Sequence, residues 1–552
     1  MKNYAACSLL LVLIMTSCTQ MKKQADLILT NGKVYTVDSS FTMASAIAVR
    51  DKKIAAVGSD RQILEKYTAD QTLNLQGHPV YPGFIDAHCH FYGYSMNLTQ
   101  ADLVGTGSFQ EIMEILKRYN RQHDTEWIVG RGWDQNDWPE KEYPTKEALD
   151  KAFPDKPVFL TRIDGHAALA NSVALAKAGI DGNTDIEGGK VLKENGKPTG
   201  VLIDNATQKV SALIPEPNRE EKISALQKGA ENCFGVGLTS VADAGLEHQP
   251  IELMDSLQQA EKLKMQTYVM LTPTKKNIQK YMKQGPYRTP YMHIQSIKLF
   301  ADGALGSRGA CLLNPYTDDP DHTGFLVNGK EALKKYAQLA YQHDYQANTH
   351  AIGDSANRVM LEIYGEILQK DNDRRWRIEH AQIIHPDDFS LFGKYSIIPA
   401  VNTTHATSDM YWAEKRLGQE RIGHAYAYQS LLQENGWLPN GSDFPVEHIN
   451  PLYGFYAAVA RKDLEGYPEE GFQPEEALNR QQALKAMTLW AARSMFEENE
   501  KGSIEVGKKA DLVVTDKDIM ELPAGQIPKV KVLRTFVQGN EVYRRGKGKS
   551  KK

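Results

Sequence analysis

The sequence predicts an α/β chain: a (β/α)8 TIM-type barrel, a composite β-sandwich built from both ends, and a subdomain inserted after the first barrel strand. Three observations carry that prediction. Eight short apolar segments alternate, for the most part, with helical patterns. β-like segments flank them at both ends of the chain. One gap, between the first two of the eight, is far too long for a single crossover. The 552 residues are 41% hydrophobic and 24% charged, which suits a folded chain with a large core. Lys and Arg total 65 and Asp and Glu 69, a net charge of −4, so there is no global electrostatic footprint for nucleic acid and no such partner is expected.

The chain opens with Met1-Lys2-Asn3 and an apolar stretch over 5–15. That stretch is too short to span a bilayer and has the length of a signal-peptide core. It ends in Leu13-Ile14-Met15-Thr16-Ser17-Cys18. Small residues directly before a cysteine resemble the lipobox of bacterial lipoproteins. The resemblance implies a lipoprotein signal peptide over 1–18 and a lipid on Cys18. It also implies a cell-envelope location, anchored in the membrane and facing the periplasm or the exterior. No later segment offers about 18 consecutive apolar residues, so the lipid is the expected attachment. The five cysteines (Cys7, Cys18, Cys89, Cys233 and Cys311) form no CxxC pair, which argues against a disulfide framework and a thiolate zinc site.

The sandwich is expected from 25–83 plus 500–546. Asp26-Leu27-Ile28-Leu29 and Val34-Tyr35-Thr36-Val37 enclose Asn31-Gly32, and Asn-Gly between apolar runs predicts a hairpin. A second pair of strands is expected at 46–49 and 54–58, around a charged turn. At the other end, 511–514, 530–537 and 542–543 read as strands, and chain termini often lie close together.

The barrel is expected over 84–499, with strands at 84–88, 238–242, 266–271, 296–300, 346–350, 377–380, 397–402 and 437–442. Helical patterns such as 331–341 and 356–369 separate them. The inserted subdomain, 102–218, carries Trp127, Trp133 and Trp138 and loops rich in Gly and Asn.

Polar residues then stand out at the carboxyl ends of these strands, where barrel enzymes build their sites. The first strand ends Asp86-Ala87-His88-Cys89-His90, and residues two apart in an extended chain face the same way. Lys298, His350, His380 and Asp443 each end or interrupt an apolar or small-residue run. One buried histidine is ordinarily a hydrogen-bonded core residue. Polar groups at five strand ends together point to a shared cation that would satisfy them all.

Several motifs carry a family resemblance. They are Pro82-Gly83-Phe84-Ile85-Asp86-Ala87-His88-Cys89-His90, Lys298-Leu299-Phe300-Ala301-Asp302-Gly303 and His350-Ala351-Ile352-Gly353-Asp354. Arg377-Ile378-Glu379-His380-Ala381, Gly441-Ser442-Asp443-Phe444-Pro445 and Gly502-Ser503-Ile504-Glu505-Val506-Gly507 complete the set. With them the chain resembles the amidohydrolase superfamily, in its YtcJ-like branch, from about residue 25 to 545. The resemblance implies a barrel plus sandwich and metal ligands at His88, His90, Lys298, His350, His380 and Asp443. It implies two metal ions bridged by a carboxylated Lys298; the donor types make zinc the first choice, with manganese, iron or nickel compatible with the same donors. The implied reaction is cleavage of an amide or related C–N bond, other than a peptide bond, in a small molecule by a metal-activated hydroxide. Asp443 would take the proton and pass it to the leaving amine.

Alternatives stay open at this level. A Lys298–Asp302 ion pair could replace carboxylation, and Asp443 could be a turn or cap residue. A deaminase on a mononuclear site, or a lipoprotein that binds a small molecule without turning it over, could use a similar barrel. Four further residues are candidate substrate contacts. Asp302 could orient Lys298 or touch substrate. His166 could reach over the barrel mouth, Trp133 could line an apolar pocket, and Arg308 could pair with an anionic group. An oligomer is compatible with all of these readings.

Overall fold

The computed structural model describes residues 21–546 except 124 and 371. The signal segment over 1–18, Cys18 included, and residues 547–552 lie outside the described residues.

Seven parallel strands form the barrel sheet in chain order: β1 Phe84–Cys89, β2 Leu238–Leu246, β3 Gln266–Leu271, β4 Met292–Phe300, β5 Gln346–Ala351, β6 Arg377–His380 and β7 Ile398–Ala400. Every residue of β1, β3, β5 and β6 is buried. Continuous burial is what a parallel sheet under helices imposes, and it explains the unbroken apolar or small-residue runs. Helices Lys330–Gln342 and Asp354–Leu368 follow β4 and β5 as crossovers.

The strand expected at 437–442 is not a regular strand. Asn440 makes one parallel bridge to Val401, and the segment closes the barrel through separate bonds. Gly441 N–H donates to Val401 O (3.0 Å), Ala87 N–H to Asn440 O (3.2 Å) and Asp443 N–H to His88 O (2.7 Å). The cause is crowding at β1. A Cβ on Gly441 would lie 2.4 Å from the His88 nitrogen, and the chain turns off immediately at Asp443, whose φ is +60°.

The sandwich joins both ends of the chain. Its first sheet runs Lys53–Gly58, Ala46–Arg50, Lys23–Thr30, Tyr67–Asn74. Its second runs Asn540–Arg544, Val532–Val537, Leu512–Thr515, Pro79–Pro82, Lys33–Tyr35, Met43–Ala44. The expected Asn31-Gly32 hairpin does not form: the strands on its two sides enter different sheets. Asn31 does take a left-handed turn (φ +52°), but Leu27, Leu29 and Val34 then meet face to face in one core instead of side by side. The hairpin expected around 50–53 does form, between Ala46–Arg50 and Lys53–Gly58.

Residues 101–204 build a separate six-stranded sheet, ordered Gly189–Glu194, Lys197–Asp204, Ala167–Ala170, Val158–Arg162, Ile128–Trp133, Ala101–Asp102. It has apolar cores of its own, with Trp133 and Trp138 in one and Trp127 in the other. Helix Phe109–Gln122 lays Ile112, Met113 and Leu116 into the first of these cores. Ser108 caps its start by accepting from Glu111 N–H.

Candidate metal centre

The carboxyl ends of the barrel strands bring His88, His90, Lys298, His350, His380 and Asp443 to one place. His90 Nδ1–H donates to Ala244 O (3.0 Å), which turns Nε2 toward Asp443 Oδ1 (3.1 Å). His88 Nδ1 is held by the Glu379 carboxylate, so its Nε2 faces Lys298 Nζ (3.1 Å) and Asp443 Oδ1 (3.4 Å). His380 Nδ1–H donates to Asn402 Oδ1 (2.9 Å), leaving Nε2 for the cluster. The His350 ring packs across His380, with centroids 4.5 Å apart. Each outer ring nitrogen assigned in this way fixes the tautomer, as the outer partners of metal-binding histidines do.

These residues fit a cation. One ligand atom each from His88, His380 and Asp443 lies within 4.8 Å of the other two. Asp443 Oδ1 is buried and accepts no hydrogen bond, although imidazole nitrogens surround it. A buried carboxylate oxygen left in that state is costly without a positive partner. The protonation states suit the role as well. Burial lowers His350 and His380 well below the ordinary histidine value, so both offer lone pairs. Burial also lowers Lys298 to about 8. Burial opposes ionisation of Asp443, but His88 and His90 beside it hold its carboxyl well below the usual range.

A second layer orients the first. Arg377 Nε pairs with Glu379 Oε1 (2.7 Å), and Arg377 Nη2–H donates to Ala87 O (2.6 Å). Burial would raise Glu379, but Arg377 and His88 hold it at about 2. Ser442 Oγ–H donates to Asp86 Oδ2 (2.6 Å), while His88 N–H donates to Asp86 Oδ1 (3.1 Å). This ties the closing segment to β1. The cluster forms one wall of a cavity of about 860 Å³, and Arg131, Asp164, His166, Asp204 and Gln208 of the insertion form the other.

The model of the amidohydrolase family, Amidohydro_3, matches residues 71–543. The chain belongs to the amidohydrolase family. It is 30% identical to the putative amidohydrolase YtcJ of Bacillus subtilis (strain 168), over 93% of this chain and 98% of that protein. It is 26% identical to the N-substituted formamide deformylase of Arthrobacter pascens, over 95% and 99%. Its fold superposes on that of an uncharacterised metal-dependent hydrolase from Pyrococcus horikoshii OT3, with a TM-score of 0.74, 27% identity, and 90% and 99% coverage. The family is one of metal-dependent hydrolases.

In this amidohydrolase the secondary candidates part ways. His166 lines the cavity: its Nδ1–H donates to Asp204 Oδ1 (2.6 Å), and its ring lies 5.0 Å from that of His350. Burial lowers it, but the carboxylates of Asp204 and Asp164 outweigh burial and raise it to about 8. Asp302 also reaches the cavity, yet no ion pair joins it to Lys298 among the described residues. Its oxygens accept from the N–H groups of Ile352 (3.0 Å), Gly353 (2.8 Å) and Cys311 (2.8 Å), so it organises the loop above β4. Trp133 does not line the cavity. It is buried in the insertion core, with Nε1–H donating to Leu160 O (2.8 Å), because an aromatic on a sheet's buried face packs there first. Arg308 faces away as well, paired with Asp318 (2.9 Å) from a left-handed backbone (φ +58°).

Sequence reasoning missed Glu379, Arg377, Asn402, His405 and Arg131. His405 stacks on His380 at 5.8 Å, and its Nε2 is buried without a partner. A usable signal existed for the first two: charged residues alternate with Ile378 and His380 in a four-residue, fully buried strand. No local pattern marks the other three.

Proposed function

We propose that this chain hydrolyses an amide or related C–N bond, other than a peptide bond, in a small-molecule substrate. His88, His90, Lys298, His350, His380 and Asp443 would hold the metal. Two zinc ions, with Lys298 carboxylated, are the first expectation; manganese, iron and nickel accept the same donors. One observation carries the reading: imidazole nitrogens and an unpartnered Asp443 oxygen converge on the wall of a large cavity. The resemblance to a formamide deformylase supports the choice of bond. Carboxylation of Lys298 is supported by its burial, by the absence of any acid within ion-pair distance among the described residues, and by an amine lowered toward its free-base form.

When bound, the metal supplies Lewis acidity that lowers the pKa of a water and polarises a carbonyl. The chain's own residues supply the rest. Asp443 takes a proton from the attacking water and returns it to the leaving nitrogen. His166 is fixed through Nδ1 by Asp204, which leaves Nε2–H to donate across the cavity to the carbonyl oxygen. The second layer of Glu379, Arg377 and Asn402 keeps the imidazoles aimed without reorganisation. We also place the protein at the cell envelope through a lipid on Cys18, on the strength of the segment Leu13 to Cys18 alone.

The test is turnover. The zinc-loaded full chain should release amine from members of a panel of N-substituted formamides and acetamides. A chelator should stop the release and added zinc restore it. A folded, metal-loaded chain that releases amine from none of the panel would contradict the proposal.

A further inference from the structure

Arg131 is a cation of the cavity wall that the hydrolytic chemistry leaves unused. It sits on the insertion strand Ile128–Trp133, between Gly130 and Gly132. Those glycines let the strand press against the segment after Ala101–Asp102. A Cβ on Gly132 would lie 2.8 Å from the Val104 nitrogen, and Leu103 N–H donates to Arg131 O (2.9 Å). The guanidinium makes one side-chain hydrogen bond, from Nη2 to Ile163 O (2.9 Å). It rests over Gly165, whose backbone is left-handed (φ +76°).

Arg131 Nε is buried without a partner, and no carboxylate forms an ion pair with Arg131 among the described residues. The neighbouring arginines differ. Arg162 is saturated by Asp134, by Asp164 (2.6 Å) and by Gln135 (2.8 Å), and Arg308 and Arg416 both close on Asp318. The acid nearest in chemistry, Asp164, is already committed: it accepts from Arg162 and from His166 N–H (2.9 Å). The other acid on this wall, Asp204, is matched by His166. A guanidinium on a cavity wall with a buried, unpaired Nε–H is costly, and a planar carboxylate is the group that its fork fits best.

We infer that Arg131 docks a carboxylate of the substrate, so that the cavity selects N-acylated amino acids, or similar amides bearing an acid, over neutral amides. The inference rests on the hydrolase reading and deepens it. Arg131 and the metal ligands line the same cavity of about 860 Å³, so the acid would bind on the insertion side and the amide would face the barrel.

The experiment compares two matched ligands, N-acetylglycine and N-acetylglycinamide, with the metal-loaded full chain. Binding is read by calorimetry and turnover by amine release. The wild type should bind the carboxylate at least about tenfold more tightly than the carboxamide, as one charge-assisted hydrogen bond implies. In Arg131→Gln that ratio should fall to near one, and Arg131→Lys should recover part of it. Equal binding of the two ligands by the wild type, binding of neither, or a preference that survives in a folded Arg131→Gln protein would overturn the inference. Carboxylate-selective binding with no amine released from any amide would instead sink the hydrolase reading and leave the docking role of Arg131 standing.

Discussion

The barrel holds two buried polar clusters, one at each end of its strands, and they are built on opposite rules. At the amino-terminal end, Lys501 Nζ meets Glu497 Oε2 (2.9 Å) and donates to Ser240 Oγ (3.1 Å). His293 stands 3.5 Å from the other Glu497 oxygen, and Gln266 links Asp511 (2.7 Å) to Lys509 (3.2 Å). The Lys501 and Glu497 charges are paired there inside the protein, and the network stitches β2, β3 and β4 to the chain entering the sandwich. At the carboxyl-terminal end, Lys298 has no acid within ion-pair distance among the described residues, and Asp443 Oδ1 faces the ring nitrogens of His88 and His90 (3.4 and 3.1 Å). Burial and residue types are alike, so burial alone does not mark a site. The mark is valence left open: the closed cluster is a structural joint, and the open one awaits a ligand.

Substitutions can break that contrast. The largest effect belongs to the open cluster: Asp443→Asn should lower kcat/KM by about 10³-fold, the scale of a lost proton acceptor, with little change in thermal stability. The closed cluster should respond the other way. Lys501→Ala strands Glu497 in the interior and should cost about 3–5 kcal/mol in denaturant unfolding while kcat/KM stays at the wild-type level. A loss of activity without a loss of stability would erase the distinction.

Two smaller effects sharpen it. Asn402→Ala frees the His380 ring and should weaken metal affinity about 10- to 100-fold in a competition titration against a chelator. Acid should act on the closed cluster first through Glu497. Burial raises that carboxyl, but Lys501 and His293 outweigh burial and lower it below its ordinary value. A lowered pKa means that the stabilisation is present above the unfolded value of about 4.3 and is lost as pH falls below it. The stability gap between the wild type and Glu497→Gln should therefore narrow below about pH 4. A gap that stays constant across that range would count against the pairing.

Much of the barrel and of the open cluster was legible in the sequence, because both rest on local rules. Alternation puts His88 and His90 on one side of an extended chain, and polar residues at the ends of apolar runs mark the mouth of a barrel. What was not legible depends on segments far apart in the chain. Asn31-Gly32 announces a left-handed turn but says nothing of which sheet each flanking strand joins. The segment after Trp437 reads as a strand, yet Gly441 must crowd β1 and cannot extend the ladder. Trp133 and Arg308 carry the chemistry of a binding site, but the insertion core and Asp318 claim them first. Arg131 shows the reverse: nothing around it in the sequence separates it from any other arginine until its unpaired Nε on the cavity wall is seen.

If the carboxyl-terminal cluster is an open metal site, metal content reveals it. Elemental mass spectrometry of the full chain, purified from zinc-supplemented cells, should find two equivalents of metal in the wild type and in Lys501→Ala. Replacing His88, His380 and Asp443 together by alanine should leave none. A folded wild-type chain that carries no metal, or a triple variant that keeps it, would contradict the account.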